Sequence, residues 1–270
     1  MTGTRELQEV APWVERLARL GYAAKALLYG TIGVLAAKAA LGSRGKVTDT
    51  RGALRTVGGQ HFGTAFLVLI AIGFFGYALW RLVEAVLDPE RRGTNFKALA
   101  TRAGFAIRGL MHGAFGITAL RMTAGPQSSG GNQAQHWAAR SLELPAGGLL
   151  VGAAGMAIAG YGIYQLYRAW AAKLGTQLRL GQAPSSLRQW IVGVSRFGIA
   201  ARGLVFCLIG WFLAQSGFRH DPGQAAGLRE SLRALAQIGR WPFAAVAIGL
   251  AAYGAYELVN ARYRTIQVVR

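Results

Sequence analysis

Lys25, Arg108 and Arg202 are the side chains best placed to do chemistry in this chain, because each follows another arginine by six positions (Arg19, Arg102, Arg196) inside an apolar run. Six helical residues rise about 9 Å, which sets each cation inside the hydrocarbon boundary of a bilayer and short of its midplane. A cation at the bilayer centre costs about 2.5–3.5 kcal/mol on insertion scales. Three such groups must therefore snorkel, find carboxylate or carbonyl partners, or line a wet cavity. What they offer is recognition of an anion, with lipid phosphate the foremost case.

The neighbours of these cations repeat as well. At 100° per residue, Lys25 shares a helix face with Tyr22 and Tyr29, Arg108 with Phe105 and His112, and Arg202 with Ile199 and Phe206. A separate stripe of small residues runs through Ala26, Gly30 and Gly33, then Gly109, Gly113 and Gly116, then Gly203, Cys207 and Gly210. Small residues four apart are the mark of a close helix seam. A second frame, small-Tyr-small-x-[Trp/Tyr]-polar-Leu-x-polar-Ala, opens at Gly76, Gly160 and Ala252. It places Trp80, Tyr164 and Tyr256 at the level of the buried cations, with Glu84 and Glu257 as possible counter-charges. The candidate anion or lipid site thus comprises Lys25, Arg108, Arg202, Arg19, Arg102, Arg196, Trp80, Tyr164 and Tyr256.

Other chemistries find no residues to carry them. Cys207 is the single cysteine, so no intrachain disulfide or cysteine-ligated cluster is possible. His112 is the one histidine well inside a span, and a haem or metal site needs several ligands at one depth. Neither a phosphate-binding loop nor paired catalytic carboxylates occur. The expectation is a protein that is not an enzyme and holds no cofactor and no metal. Thirty Lys+Arg against 11 Asp+Glu give a formal charge of +19. The cations cluster at the ends of apolar runs, which points to phospholipid headgroups and away from nucleic acid.

The elements that must position these residues are membrane helices. The chain of 270 residues is 53% hydrophobic and 15% charged, with 38 glycines, a composition typical of packed membrane helices. Spans are predicted at about 21–41, 62–83, 104–123, 146–167, 197–216 and 241–259, each near the ~20 residues that cross a bilayer core. An amphipathic lead is predicted over residues 1–18, polar connections follow the first and fifth spans, and a long connection covers 168–195. The first 20 residues carry Glu6, Glu9 and Glu15 and lack a cleavable leader pattern, so the first span is expected to direct insertion.

The repeats run at about 15–86, 98–170 and 190–262 within a single membrane domain covering 1–270. Two spans per repeat is an even number, so every copy enters the bilayer in the same sense. The predicted fold is an all-α integral membrane protein: six transmembrane helices, as three parallel helical hairpins with pseudo-threefold symmetry about the membrane normal. With both termini cytoplasmic, 16 Lys and Arg lie on that side and 11 on the other, in the sense of the positive-inside rule.

The tripled Arg-x-Gly-x-Ala-x-[Lys/Arg]-small-Leu motif, paired with small-Tyr-small-x-[Trp/Tyr], resembles the bacterial membrane family called domain of unknown function 1206. The likeness covers about residues 15–262, with Lys25-Ala26 standing where Arg-Gly is usual and His112 at an otherwise aromatic position. It implies a multi-pass protein of the bacterial inner membrane and supplies no activity. The functional expectation is a structural or lipid-interacting protein whose partners are the bilayer and its anionic lipids. A small-ion or solute channel along the pseudo-threefold axis, or a scaffold for other membrane proteins, are the alternatives.

Overall fold

A computed structural model describes residues 7–8, 12–88, 93–125, 132–171, 184–263 and 268–269. The parts of the predicted lead and connections at 1–6, 9–11, 89–92, 126–131 and 172–183 lie outside the described residues. The helices are α1 (Pro12–Ala40), α2 (Thr50–Gly58), α3 (Gly63–Leu87), α4 (Phe96–Thr123), α5 (Gln133–Leu142), α6 (Gly147–Ala171), α7 (Ser185–Arg219), α8 (Leu228–Ile238) and α9 (Arg240–Tyr263). A two-residue antiparallel ladder joins Leu7–Gln8 to Val268–Val269.

Among the described residues five helices are long and apolar enough to cross a membrane: α1 over Glu15–Ala40, α3, α6, α7 and α9. The chain is read accordingly as a multi-pass membrane protein. Helix α4 has 28 residues, ample length at 1.5 Å per residue, but Lys97, Arg102, Arg108 and Arg121 dilute its apolar character. It is the one predicted span whose composition falls short.

The most extensive contacts join helices of successive repeats rather than the two helices of one hairpin. α3 packs on α4, α6 on α7, and α9 returns to α1. The small-residue stripe makes these seams. A Cβ on Gly33 would come 2.7 Å from Ala251 Cα, one on Gly109 3.1 Å from the Ala78 carbonyl oxygen, and one on Gly210 2.7 Å from Ala159 Cα. Backbone cannot yield at such distances, so only small residues let the helices meet. Within hairpins, α1 packs on α3 and α7 on α9, while α4 and α6 make no comparable contact.

The polar connections contain helices that a window of hydropathy does not detect. α2, α5 and α8 are amphipathic turns of 9, 10 and 11 residues that cap the end of the bundle remote from the termini. Their inner faces bury Ala53, Leu54 and Val57 on α2, Ala138 on α5, and Leu232 and Leu235 on α8. Polar ties join the rim across repeats: Arg229 to Asp49 at 2.7 Å, Asn132 Nδ2 donating to the Ala225 carbonyl at 2.9 Å, and Arg240 Nε donating to the Ala40 carbonyl at 2.8 Å. Asp49 and Asn132 also cap their own helices, accepting from Gly52 N and Ala134 N.

Candidate functional site

The three cations are joined in one connected cluster. Lys25 is buried on α1 and its Nζ lies 2.6 Å from Glu257 Oε1 on α9. Tyr253, one turn before Glu257, donates its hydroxyl to the same oxygen. The Tyr253 ring also lies 5.0 Å from the Arg202 guanidinium carbon on α7. Arg202 in turn donates through Nε to the Tyr29 hydroxyl at 3.2 Å and through Nη1 to the Tyr161 hydroxyl at 3.5 Å. Arg108 on α4 reaches the same Tyr161 ring on α6 at 5.6 Å. A single path of ion pair, hydroxyl and ring contacts thus links all three repeats.

A second arm closes on Lys25 from α3. The Lys25 ammonium sits 4.9 Å from the Tyr77 ring centroid and 5.3 Å from that of Tyr22. Arg81 lies over Tyr77 at 4.9 Å and over Phe105 at 5.2 Å, and its Nη1 pairs with Glu84. Glu84 therefore neutralises its own neighbour on α3, and Glu257 is the carboxylate that meets an inserted cation. His112 packs edge-on against Phe74 and at a tilt against Tyr77, with ring centroids 4.6 Å apart. Its Nδ1 lies 2.7 Å from the Arg108 carbonyl oxygen, a geometry in which the Nδ1 proton is donated.

Frame positions explain how the charges are distributed. The polar site after Trp80, Tyr164 and Tyr256 holds Arg81, Gln165 and Glu257, all buried. One repeat brings a positive group, one a neutral group and one a negative group to equivalent points. Two carboxylates then face four cations: Glu257 serves Lys25 and Glu84 serves Arg81. Among the described residues no carboxylate pairs with Arg108 or Arg202. Aromatic faces stabilise such cations by about 0.5–2 kcal/mol and leave their charge intact.

The remaining predicted site residues divide differently. Arg19 Nη1 donates to the carbonyls of Ala261 and Arg262 at 2.7 Å each, and Arg102 donates to those of Ala85 and Val86 at 2.8 and 2.9 Å. Each closes the carboxyl end of the second helix of a neighbouring repeat, where free carbonyls and the helix dipole favour a cation. Arg196 is exposed. Trp80 and Tyr256 are buried and Tyr164 is 56% exposed; the Tyr256 hydroxyl accepts from Arg168 Nη2 at 3.2 Å. On the second helix of each repeat, the aromatic side chains that touch Lys25, Arg108 and Arg202 are Tyr77, Tyr161 and Tyr253, one turn earlier. The repeated small-Tyr-small frame carried that signal.

Among the described residues no group of three His, Cys, Asp or Glu could hold a metal ion. A shallow apolar hollow of about 290 Å³ lined by Leu27, Thr31, Thr56, Val57, Gln60 and Phe66 has no charged group in its wall.

The pattern defining the family Domain of Unknown Function (DUF1206) matches in tandem at residues 20–88, 103–172 and 197–264. The chain is 31% identical over 259 residues to the uncharacterized protein YxxB of Bacillus subtilis (strain 168), across 95% of this chain and 94% of that protein. No solved structure matches.

Proposed function

The chain belongs to the DUF1206 family, and from that premise we propose a non-enzymatic protein of the bacterial inner membrane that holds an anionic lipid headgroup at its cationic-aromatic centre. The observation that carries this reading is the charge imbalance: Arg108 and Arg202 share Tyr161 yet pair with no carboxylate among the described residues. A guanidinium in that state is a fitting partner for phosphate, whose oxygens match its paired N–H donors. The Lys25–Glu257 pair and the rings around it fill the middle of the bundle, which favours an anchor over a pore.

In this proposal α4 is the sixth span, and the three hairpins stand in the same sense about a pseudo-threefold axis with both termini cytoplasmic. Its length supports that, and so does its close packing along α3. The terminal ladder and the Arg19 contacts to the end of α9 support termini on one side. The excess of Lys and Arg there favours the cytoplasm.

The double variant Arg108→Ala/Arg202→Ala tests the reading while sparing the Lys25–Glu257 pair. Native mass spectrometry of protein purified in mild detergent with added phosphatidylglycerol reads lipid retention. Loss of one charge-assisted contact is worth about 1.5–3 kcal/mol, so retention should fall at least tenfold. Retention equal to the parent would remove the proposal.

A further inference from the structure

We propose that the second hairpin is built open, and that the crevice between α4 and α6 seats one anionic phospholipid with its phosphate at Arg108. This rests on the headgroup reading above and adds where the lipid lies. In the first repeat Ala24 and Leu28 are buried, and in the third Ala201 and Val205 are buried. The same frame positions in the second repeat are Ile107 and Met111, 59% and 44% exposed. The facing wall agrees: Tyr164 is open where Trp80 and Tyr256 are buried.

Glycines on the same faces report the gap directly. A Cβ on Gly21 would come 2.9 Å from the Gly73 carbonyl oxygen, and one on Gly198 2.6 Å from Tyr253 Cα. Their counterpart Gly104 meets only Arg108 Nη2 of its own helix, at 3.7 Å, and Gly160 meets nothing within 4 Å. The cause is in the sequence. Ala24 Cβ lies 3.2 Å from where a Cβ on Gly73 would stand, and Ala201 packs likewise on Gly249. The equivalent pair in the second repeat is Ile107 and Ala157, whose added bulk holds the helices apart at what would be their closest approach.

Charge and polarity choose the occupant. The mouth presents Ile107, Met111 and Tyr164, an apolar lining, and Arg108 lies half-buried against Tyr161 with no carboxylate partner among the described residues. Arg202 stands on the other side of that ring at 5.9 Å. An amphiphile with acyl chains and a phosphate complements both features; water or a free ion complements one.

The test sets Gly160→Trp beside Arg108→Ala/Arg202→Ala, using phosphatidylglycerol, phosphatidylcholine and inorganic phosphate as probes in native mass spectrometry. Gly160 is exposed and unobstructed, so the indole fills the crevice without displacing packed atoms. A tenfold or greater loss of phosphatidylglycerol in both variants, with an unchanged melting midpoint for Gly160→Trp, is the expected result. Loss in the arginine variant alone overturns the crevice and leaves the anion centre standing. Loss in neither overturns both. Inorganic phosphate bound as tightly as lipid, or a dimer that Gly160→Trp dissociates, would replace the lipid by a free anion or a second copy of the chain and also overturn the proposal.

Discussion

Glu257→Ala should destabilise the folded protein by about 3–5 kcal/mol, the range for removing one partner of a buried ion pair. Glu257 is 1% and Lys25 7% exposed, and the pair joins the first helix to the last at 2.6 Å. Without the carboxylate, the Lys25 ammonium is left with Tyr22 and Tyr77 ring faces, which offset only part of its desolvation. Lys25→Ala should be comparably severe, because Glu257 Oε1 would keep only the Tyr253 hydroxyl and Oε2 has no hydrogen-bond partner among the described residues. Lys25→Met/Glu257→Gln removes both charges together and should recover most of the loss. Thermal or denaturant unfolding in detergent gives the double-mutant cycle, and additive single effects would contradict a direct pair.

Gly155→Val should be severely damaging at the middle of the α6–α7 seam. A Cβ there would come 2.7 Å from Ala214 Cα and 2.8 Å from the Gly210 carbonyl oxygen, so α6 and α7 must separate along their most extensive seam. Overpacking of rigid surroundings costs about 1–3 kcal/mol, and backbone-to-backbone contact belongs at or above the top of that range. Gly160→Val, five residues on, meets open space and should change stability by less than about 0.5 kcal/mol. Melting midpoints of the two variants decide it. Equal destabilisation would mean that the α4–α6 crevice is closed in the membrane.

Much of this arrangement could be read from residue spacing. The tripled motif sets three cations at one frame position, the stripe of small residues marks a seam on a different helix face, and Glu84 and Glu257 are the carboxylates at cation depth, with nothing in the spacing to choose between them. Periodicity identifies a face and says nothing of the neighbour it will meet. That is why spacing alone did not foresee that the stripe at Ala26, Gly30 and Gly33 packs on α9, from another repeat. The rim helices were obscured because nine to eleven amphipathic residues resemble a polar linker when hydropathy is averaged.

The aromatic partners were displaced by one turn for a related reason. Tyr77 and Trp80 are three residues apart, about 60° around the helix, so either could face the cations. Contacts from α1 and α4 select Tyr77, and the same choice falls on Tyr161 and Tyr253. The opening of the second hairpin was written as two departures from its sister repeats, Ile107 for Ala24 and Met111 for Leu28. Their meaning depends on knowing that Gly73 and Gly249 receive the smaller residue.

The proposed anion centre requires all three hairpins to enter the membrane in one sense, with α4 as a true span. Single cysteines in a Cys207→Ala background, placed at exposed Thr94, Ser186, Ser43, Glu143 and Asp221 and labelled with an impermeant maleimide in intact cells and inverted vesicles, test this most directly. Thr94 and Ser186 should react only from the cytoplasmic side, and Ser43, Glu143 and Asp221 only from the outside. Glu143 labelling on the same side as Thr94 would contradict it, since α4 would then not cross and Arg108 could not share a depth with Lys25 and Arg202.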